Sequence, residues 1–66
     1  MTLVTVKEVA EMLSVSQRQV WRLNSLSEMP SPIRIGRSVR WDSEVLRNWV
    51  SLGCPDRATF EQSGDL

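Results

Sequence analysis

Arginine is the side chain through which this 66-residue sequence is equipped to do chemistry. Arg34, Arg37 and Arg40 recur at every third position of "IRIGRSVRW", and Arg18 and Arg22 stand one helical turn apart in "SQRQVWRL". A guanidinium is a rigid fork of donors that fits phosphate oxygens and the major-groove edge of guanine. Gln17, next to Arg18, adds an amide of the kind that pairs with purine edges. Such a set suits contact with a nucleic acid. Residues 14–41 hold five arginines against one acid, Glu28, while residues 1–13 and 42–66 are both net acidic. Because the whole chain has zero formal charge, the basic character belongs to one face and not to the molecule.

Other chemistries lack their parts. With no histidine and a single cysteine, Cys54, neither a Ser-His-Asp triad nor a thiol–imidazole pair can be drawn, and no Cys/His zinc site or internal disulfide. The three glycines are isolated, so no phosphate-cradling loop is present. Asp42 and Glu44 flank a helix start, where capping and the helix dipole account for them. The expectation is a protein without catalytic residues, metal or cofactor. A lone thiol suits a reducing cytosol, and "MTLVTVKEVAEM" contains no long apolar run. A cytoplasmic location with no membrane partner is therefore expected.

The elements that must position the arginines follow from caps and periodicity. Thr5 with Glu8 three residues on forms a capping box, Val4 and Val9 are placed for a hydrophobic staple, and Val6, Val9, Ala10 and Leu13 make an apolar stripe. This predicts a helix over Val6–Leu13. Ser16 and Gln19 repeat the capping signature and open a second helix, Gln17–Leu26, with Val15 placed to plug the turn between the two. At 100° per residue Val20, Leu23 and Leu26 face inward with Gln19 at their edge, and Gln17, Arg18, Trp21, Arg22 and Ser25 face outward without an acid among them. Pro30 and Pro32 end that helix and force an extended path. A hairpin joined by three to five residues then puts Ile33, Ile35, Val39 and Trp41 toward the core, Arg34 and Arg40 away from it, and Arg37 at the tip. Asp42 or Ser43 caps a third helix with Val45, Leu46, Trp49 and Val50 buried, closed by Gly53 and Pro55. Residues 1–52 form the predicted domain, and residues 53–66 a flexible acidic tail.

Helix, turn, helix, basic hairpin and helix is the order of a winged helix-turn-helix, a mainly α fold with a two-stranded wing. An α-helix fits the major groove with its first turn at the bases, which makes Gln17 and Arg18 the expected readers, with Ser16 among the DNA-binding residues, and Arg22 a phosphate contact. Arg34, Arg37 and Arg40 reach phosphates or the neighbouring minor groove. Trp21 either lines the DNA contact or folds beneath the hairpin. The contrasting reading is a protein-interaction adaptor whose basic ribbon docks an acidic partner, with the arginines keeping an edge ribbon soluble.

"TVKEVAEMLSVSQRQVWRL", "MPSPIRIGRSVRW" and "SEVLRNW" together resemble the AlpA-type regulators and phage excisionases, small relatives of the MerR-like winged helices. The resemblance covers residues 3–50, through Val9-Ala10, Leu13, Ser16, Arg22, Pro30 and Pro32, Gly36, Arg40-Trp41, Glu44-Val45 and Trp49. Met29 departs from it where an aromatic is usual, and Trp21 where tyrosine is common. It implies binding of double-stranded DNA without enzymatic activity, in transcription regulation or, as the alternative, in excision by bending DNA for a recombinase. RNA polymerase or a recombinase would then be the protein partner. One small neutral domain should bind weakly alone, so cooperative self-association on DNA is also expected.

Overall fold

The computed structural model describes residues 2–63 and gives the predicted winged helix-turn-helix. Helices α1, Val6–Leu13, and α2, Gln17–Ser25, start where their caps say they should. The Thr5 hydroxyl accepts from the Glu8 N–H at 3.2 Å, and the Glu8 carboxylate accepts from the Thr5 N–H at 3.0 Å. Two donors that the first turn leaves free are thereby satisfied. The Ser16 hydroxyl accepts from the Gln19 N–H at 3.1 Å. Between the helices, Ser14 takes the left-handed conformation (φ 56°) and the Val15 N–H donates to the Ala10 carbonyl at 3.0 Å, which closes α1 within one turn. That tight wrap leaves Val15 exposed at the surface instead of plugging the gap. α2 ends one residue before the predicted Leu26, and Leu26, at its C-terminal cap, is 55% exposed.

A three-stranded antiparallel sheet of order β1-β3-β2 carries the wing: β1 is Leu3–Val4, β2 Ile33–Ile35 and β3 Ser38–Asp42. β1 is an addition to the predicted two strands. Only two residues long, it pairs Val4 with Trp41 and has no periodicity of its own. The turn between β2 and β3 consists of Gly36 and Arg37 alone, with Gly36 at φ 59°, a hairpin that glycine permits at its first position.

Turn length decides which side chains share a face. A two-residue turn pairs odd with even positions: Ile33 with Arg40, Arg34 with Val39 and Ile35 with Ser38. Directly opposed residues lie on the same face of a sheet. Arg34, Val39 and Trp41 therefore face the helices, whereas Ile33, Ile35, Ser38 and Arg40 face outward. The expected faces of Ile33, Ile35 and Arg34 are thus reversed, since pairing shifted by one residue moves the strand's whole side-chain set to the other side. Burial agrees, with Trp41 buried and Ile35 53% exposed.

The Asp42 carboxylate accepts from the Glu44 N–H at 2.9 Å and caps α3, Ser43–Ser51. Of its predicted stripe, Leu46 and Trp49 are buried; Val45 and Val50 are exposed because the helix packs on a narrower contact than four positions. The core joins Val4, Val9, Val20, Met29, Trp41, Leu46 and Trp49.

The expected loose tail is corrected over most of its length. Gly53 and Cys54 both have positive φ and turn the chain back, the Trp49 indole N–H donates to the Pro55 carbonyl at 2.6 Å, and α4 follows over Arg57–Ser63 with Phe60 buried. Asp56 accepts from the Thr59 N–H at 2.9 Å at its start. Residues 64–66 lie outside the described residues.

Candidate nucleic-acid interface

The exposed face of α2 is built by its own wheel. Arg18, Trp21, Arg22 and Ser25 recur at helical spacing, and with Ser16 and Gln19 they line one shallow concavity that contains no acid. Gln19, expected at the edge of the buried side, belongs to this surface instead. Gln17 is exposed in the first turn but does not line the concavity.

Trp21 does both things that the sequence left open. Its ring centroid lies 5.6 Å from that of the buried Trp41, tilted by 58°, while 44% of the residue remains exposed. Tilted indole pairs at that separation are favourable by about 0.5–1.5 kcal/mol beyond the area they bury. The contact ties the outward face of α2 to the inward face of β3. Trp21 is thereby a rigid wall of the concavity, held from behind by the core.

Arg34 joins this surface by way of the hairpin register. On the inward face of β2, it lines a second concavity with Asn24, Ser25, Ser27, Ser31, Pro32 and Arg57. Ser25 lines both, so the two concavities adjoin at the C-terminal end of α2. Among the described residues, the guanidinium groups of Arg18, Arg22, Arg34 and Arg37 make no hydrogen bond to a carboxylate or carbonyl. Their donors are available. Arg37 stands at the turn, beyond both concavities.

Arg40 does not join them. It faces outward beside Ile33, a terminal nitrogen folds back to donate to the Val39 carbonyl at 2.8 Å, and its charge bears on Glu8. The Glu8 carboxyl is held below its ordinary value chiefly by the Thr5 backbone N–H, then by the Thr5 hydroxyl, with Arg40 a smaller cause. Three of the wing's arginines thus occupy three different situations: inward, tip and outward.

Arg57, which sequence reasoning did not single out, lines the second concavity with Arg34. Its guanidinium donates to the Met29 carbonyl at 2.9 Å, to the Asn24 side-chain oxygen at 2.9 Å and, at 3.3 Å, to the Asn24 carbonyl and the Ser27 hydroxyl. Its backbone N–H donates to the Ser27 carbonyl at 2.9 Å. A positive charge bonded to the last-turn carbonyls offsets the negative end of a helix. No spacing signal could reveal it, because its partners, Asn24 in the last turn of α2 and Ser27 and Met29 in the connector that follows, lie about thirty residues away in the sequence.

Residues 3–51 match the helix-turn-helix domain family. The chain belongs to that family. No curated protein and no solved structure matches it. The helix-turn-helix domain is a DNA-binding domain and not an enzyme family, and its matched span runs from β1 to the last residue of α3. α4, with Arg57, lies beyond that span. A separate apolar concavity, lined by Met12, Leu13, Val15, Leu23, Trp49 and Val50, opens between the C-terminal ends of α1 and α3. It uses Leu23, about 200° around α2 from Trp21, and so is not part of the basic surface. No helix among the described residues is long and apolar enough to cross a membrane.

Proposed function

We propose that this helix-turn-helix domain reads a specific double-stranded DNA sequence as a transcriptional regulator of the AlpA type. α2 enters the major groove, Ser16, Gln17, Arg18 and Gln19 contact base edges, and Arg22 meets a phosphate. Arg34 and Arg37 hold the flanking backbone from the wing, with the tip arginine at phosphates or in the minor groove. Arg40 is left out of the contact set. The observation that carries this reading is the concavity along α2 from Ser16 to Ser25, lined by no acid, which shares Ser25 with the one that holds Arg34, while the guanidinium groups of Arg18, Arg22 and Arg34 bond to no carboxylate or carbonyl among the described residues. Trp21 supports it as the wall that fixes where those groups stand.

Selection of bound duplexes from a random pool tests the proposal. The expected result is one enriched motif about one half-site wide, bound more weakly by Arg18→Ala with relaxed preference at one position. Failure to enrich any motif, or a wild-type preference unchanged in Arg18→Ala, refutes the assignment of α2 as the reader. A single enriched site overlapping a promoter accords with regulation. Repeated sites and strong bending in a gel-permutation assay would move the role to excision.

A further inference from the structure

The concavity between the end of α2 and β2 has a chemistry that the groove-reading face does not need. The C-terminal end of an α-helix presents carbonyl oxygens and the negative end of its dipole, a poor place for an anion. Here the Arg57 guanidinium covers it, bonded to Asn24 and Met29 carbonyl oxygens and to no carboxylate among the described residues. The local sign is reversed. In front of that screen, Arg34 has all its donors available, and the Ser27 hydroxyl, which accepts from Arg57 at 3.3 Å, keeps its own proton to donate. Ser25 spends its proton on the Arg22 carbonyl at 3.1 Å, and Ser31 donates to the Glu61 carboxylate at 3.3 Å. Ser27 is a left-handed residue (φ 56°), a conformation unusual for a side chain other than glycine, asparagine or aspartate. The space is about 620 Å³ and open to solvent.

Resting on the DNA reading above, we infer that this concavity seats one phosphate of the DNA backbone, gripped by Arg34 and the Ser27 hydroxyl over the Arg57 screen. From Arg18 to Ser25 the helix rises about 10 Å, so the seat lies one or two phosphates beyond those met by the start of α2. Glu61, on Ser31, is the like charge at its rim. It weakens the grip.

The test is neutral methylphosphonate substitution, one position at a time, in the selected duplex, titrated against the wild type, Arg34→Ala, Ser27→Gly and Glu61→Gln. Arg34 and Glu61 are surface residues, and glycine accepts φ 56° without strain, so these variants keep the fold; circular dichroism melts check it. One methylphosphonate position should weaken the wild type by several-fold and Arg34→Ala distinctly less, since only Ser27 and the Arg57 charge then remain at the seat. The wild-type advantage over Arg34→Ala should shrink about 3–4-fold between 50 and 200 mM salt, as expected for one lost phosphate contact. Ser27→Gly should bind the unmodified duplex more weakly and show a reduced methylphosphonate effect at that same position alone. Glu61→Gln should bind about threefold more tightly at low salt, a gain that misfolding could not produce. Equal methylphosphonate effects on the wild type and Arg34→Ala at every position, or no gain in Glu61→Gln, overturn the seat while leaving DNA binding intact. A wild type that binds no duplex sinks the DNA reading and the seat together.

Discussion

Replacing Arg57 with alanine tests whether α4 is structurally part of the domain, although it follows the matched family span. Four side-chain hydrogen bonds are lost, two at 2.9 Å and two at 3.3 Å. A bond to a charged donor contributes roughly 1.5–3 kcal/mol when well made. Arg57 is only partly buried and two of the bonds are long, so counting the two short ones at the low end gives about 3 kcal/mol. The lost charge at the α2 terminus adds a few tenths to about 1 kcal/mol. In so small a domain each kcal/mol moves the melting midpoint by about 4–8 °C, which predicts a fall of at least about 12 °C. Thermal unfolding followed by circular dichroism and by tryptophan fluorescence measures it, with both probes coincident if α4 melts with the core. Arg57→Lys should fall in between, because an ammonium keeps the charge but cannot span carbonyls on two segments. A shift under about 3 °C for Arg57→Ala would refute the reasoning: α4 would then be an appendage whose docking contributes nothing to the cooperative unit.

The hairpin register makes Arg40→Ala neutral for DNA affinity and its salt slope, whereas Arg22→Ala and Arg37→Ala should each reduce the magnitude of the slope by about 0.9 in fluorescence-anisotropy titrations. Gly36→Ala meets no neighbouring atom but must hold φ 59°; the backbone strain alone should cost about 1–2 kcal/mol, read as a lower melting midpoint, with Gly36→Asn milder. Glu8, whose folded-state carboxyl sits below 4.5, contributes stability that is complete above its unfolded value and fades as pH falls through the folded one. The melting-temperature advantage of the wild type over Glu8→Gln should therefore shrink on acidification from about pH 6 to about pH 3, and an advantage that grew instead would contradict the capping-box account.

The helices were legible because their signals are local. A capping hydroxyl three residues before an acceptor or donor, and apolar residues at 3.6 spacing, are facts about neighbours; α1 and α2 begin at the residues those facts name, and α3 at Ser43 behind Asp42, the first of the two caps that the sequence offered. What lay in long-range geometry was not legible. β1 is two residues that become a strand only because Trp41 is beside Val4. α4 docks through Arg57, Phe60 and the Trp49–Pro55 bond, three contacts with no common period, so its sequence reads as acidic and unpatterned. Val45, Val50 and Leu26 fit an apolar stripe and are nevertheless exposed, since a chain of this length has too few elements to cover every apolar position.

The wing arginines show why the candidate site was half visible. Alternation along "IRIGRSVRW" identifies a ribbon with two unlike faces, but not which face turns toward the helices. That choice rests on the parity of the turn: an odd number of turn residues would have kept Arg34 with Arg40, and the two-residue Gly36-Arg37 turn separates them. The separation has a structural consequence. Arg34 is delivered to the end of α2, where it lines a concavity with Asn24, Ser25 and Arg57, and Arg40 is delivered to the back of the sheet, where it bears on Glu8 beside a capped helix start. A hairpin can therefore carry one cation to the end of a neighbouring helix and another to the back of its own sheet, with a two-residue turn that opens on glycine at positive φ deciding the assignment.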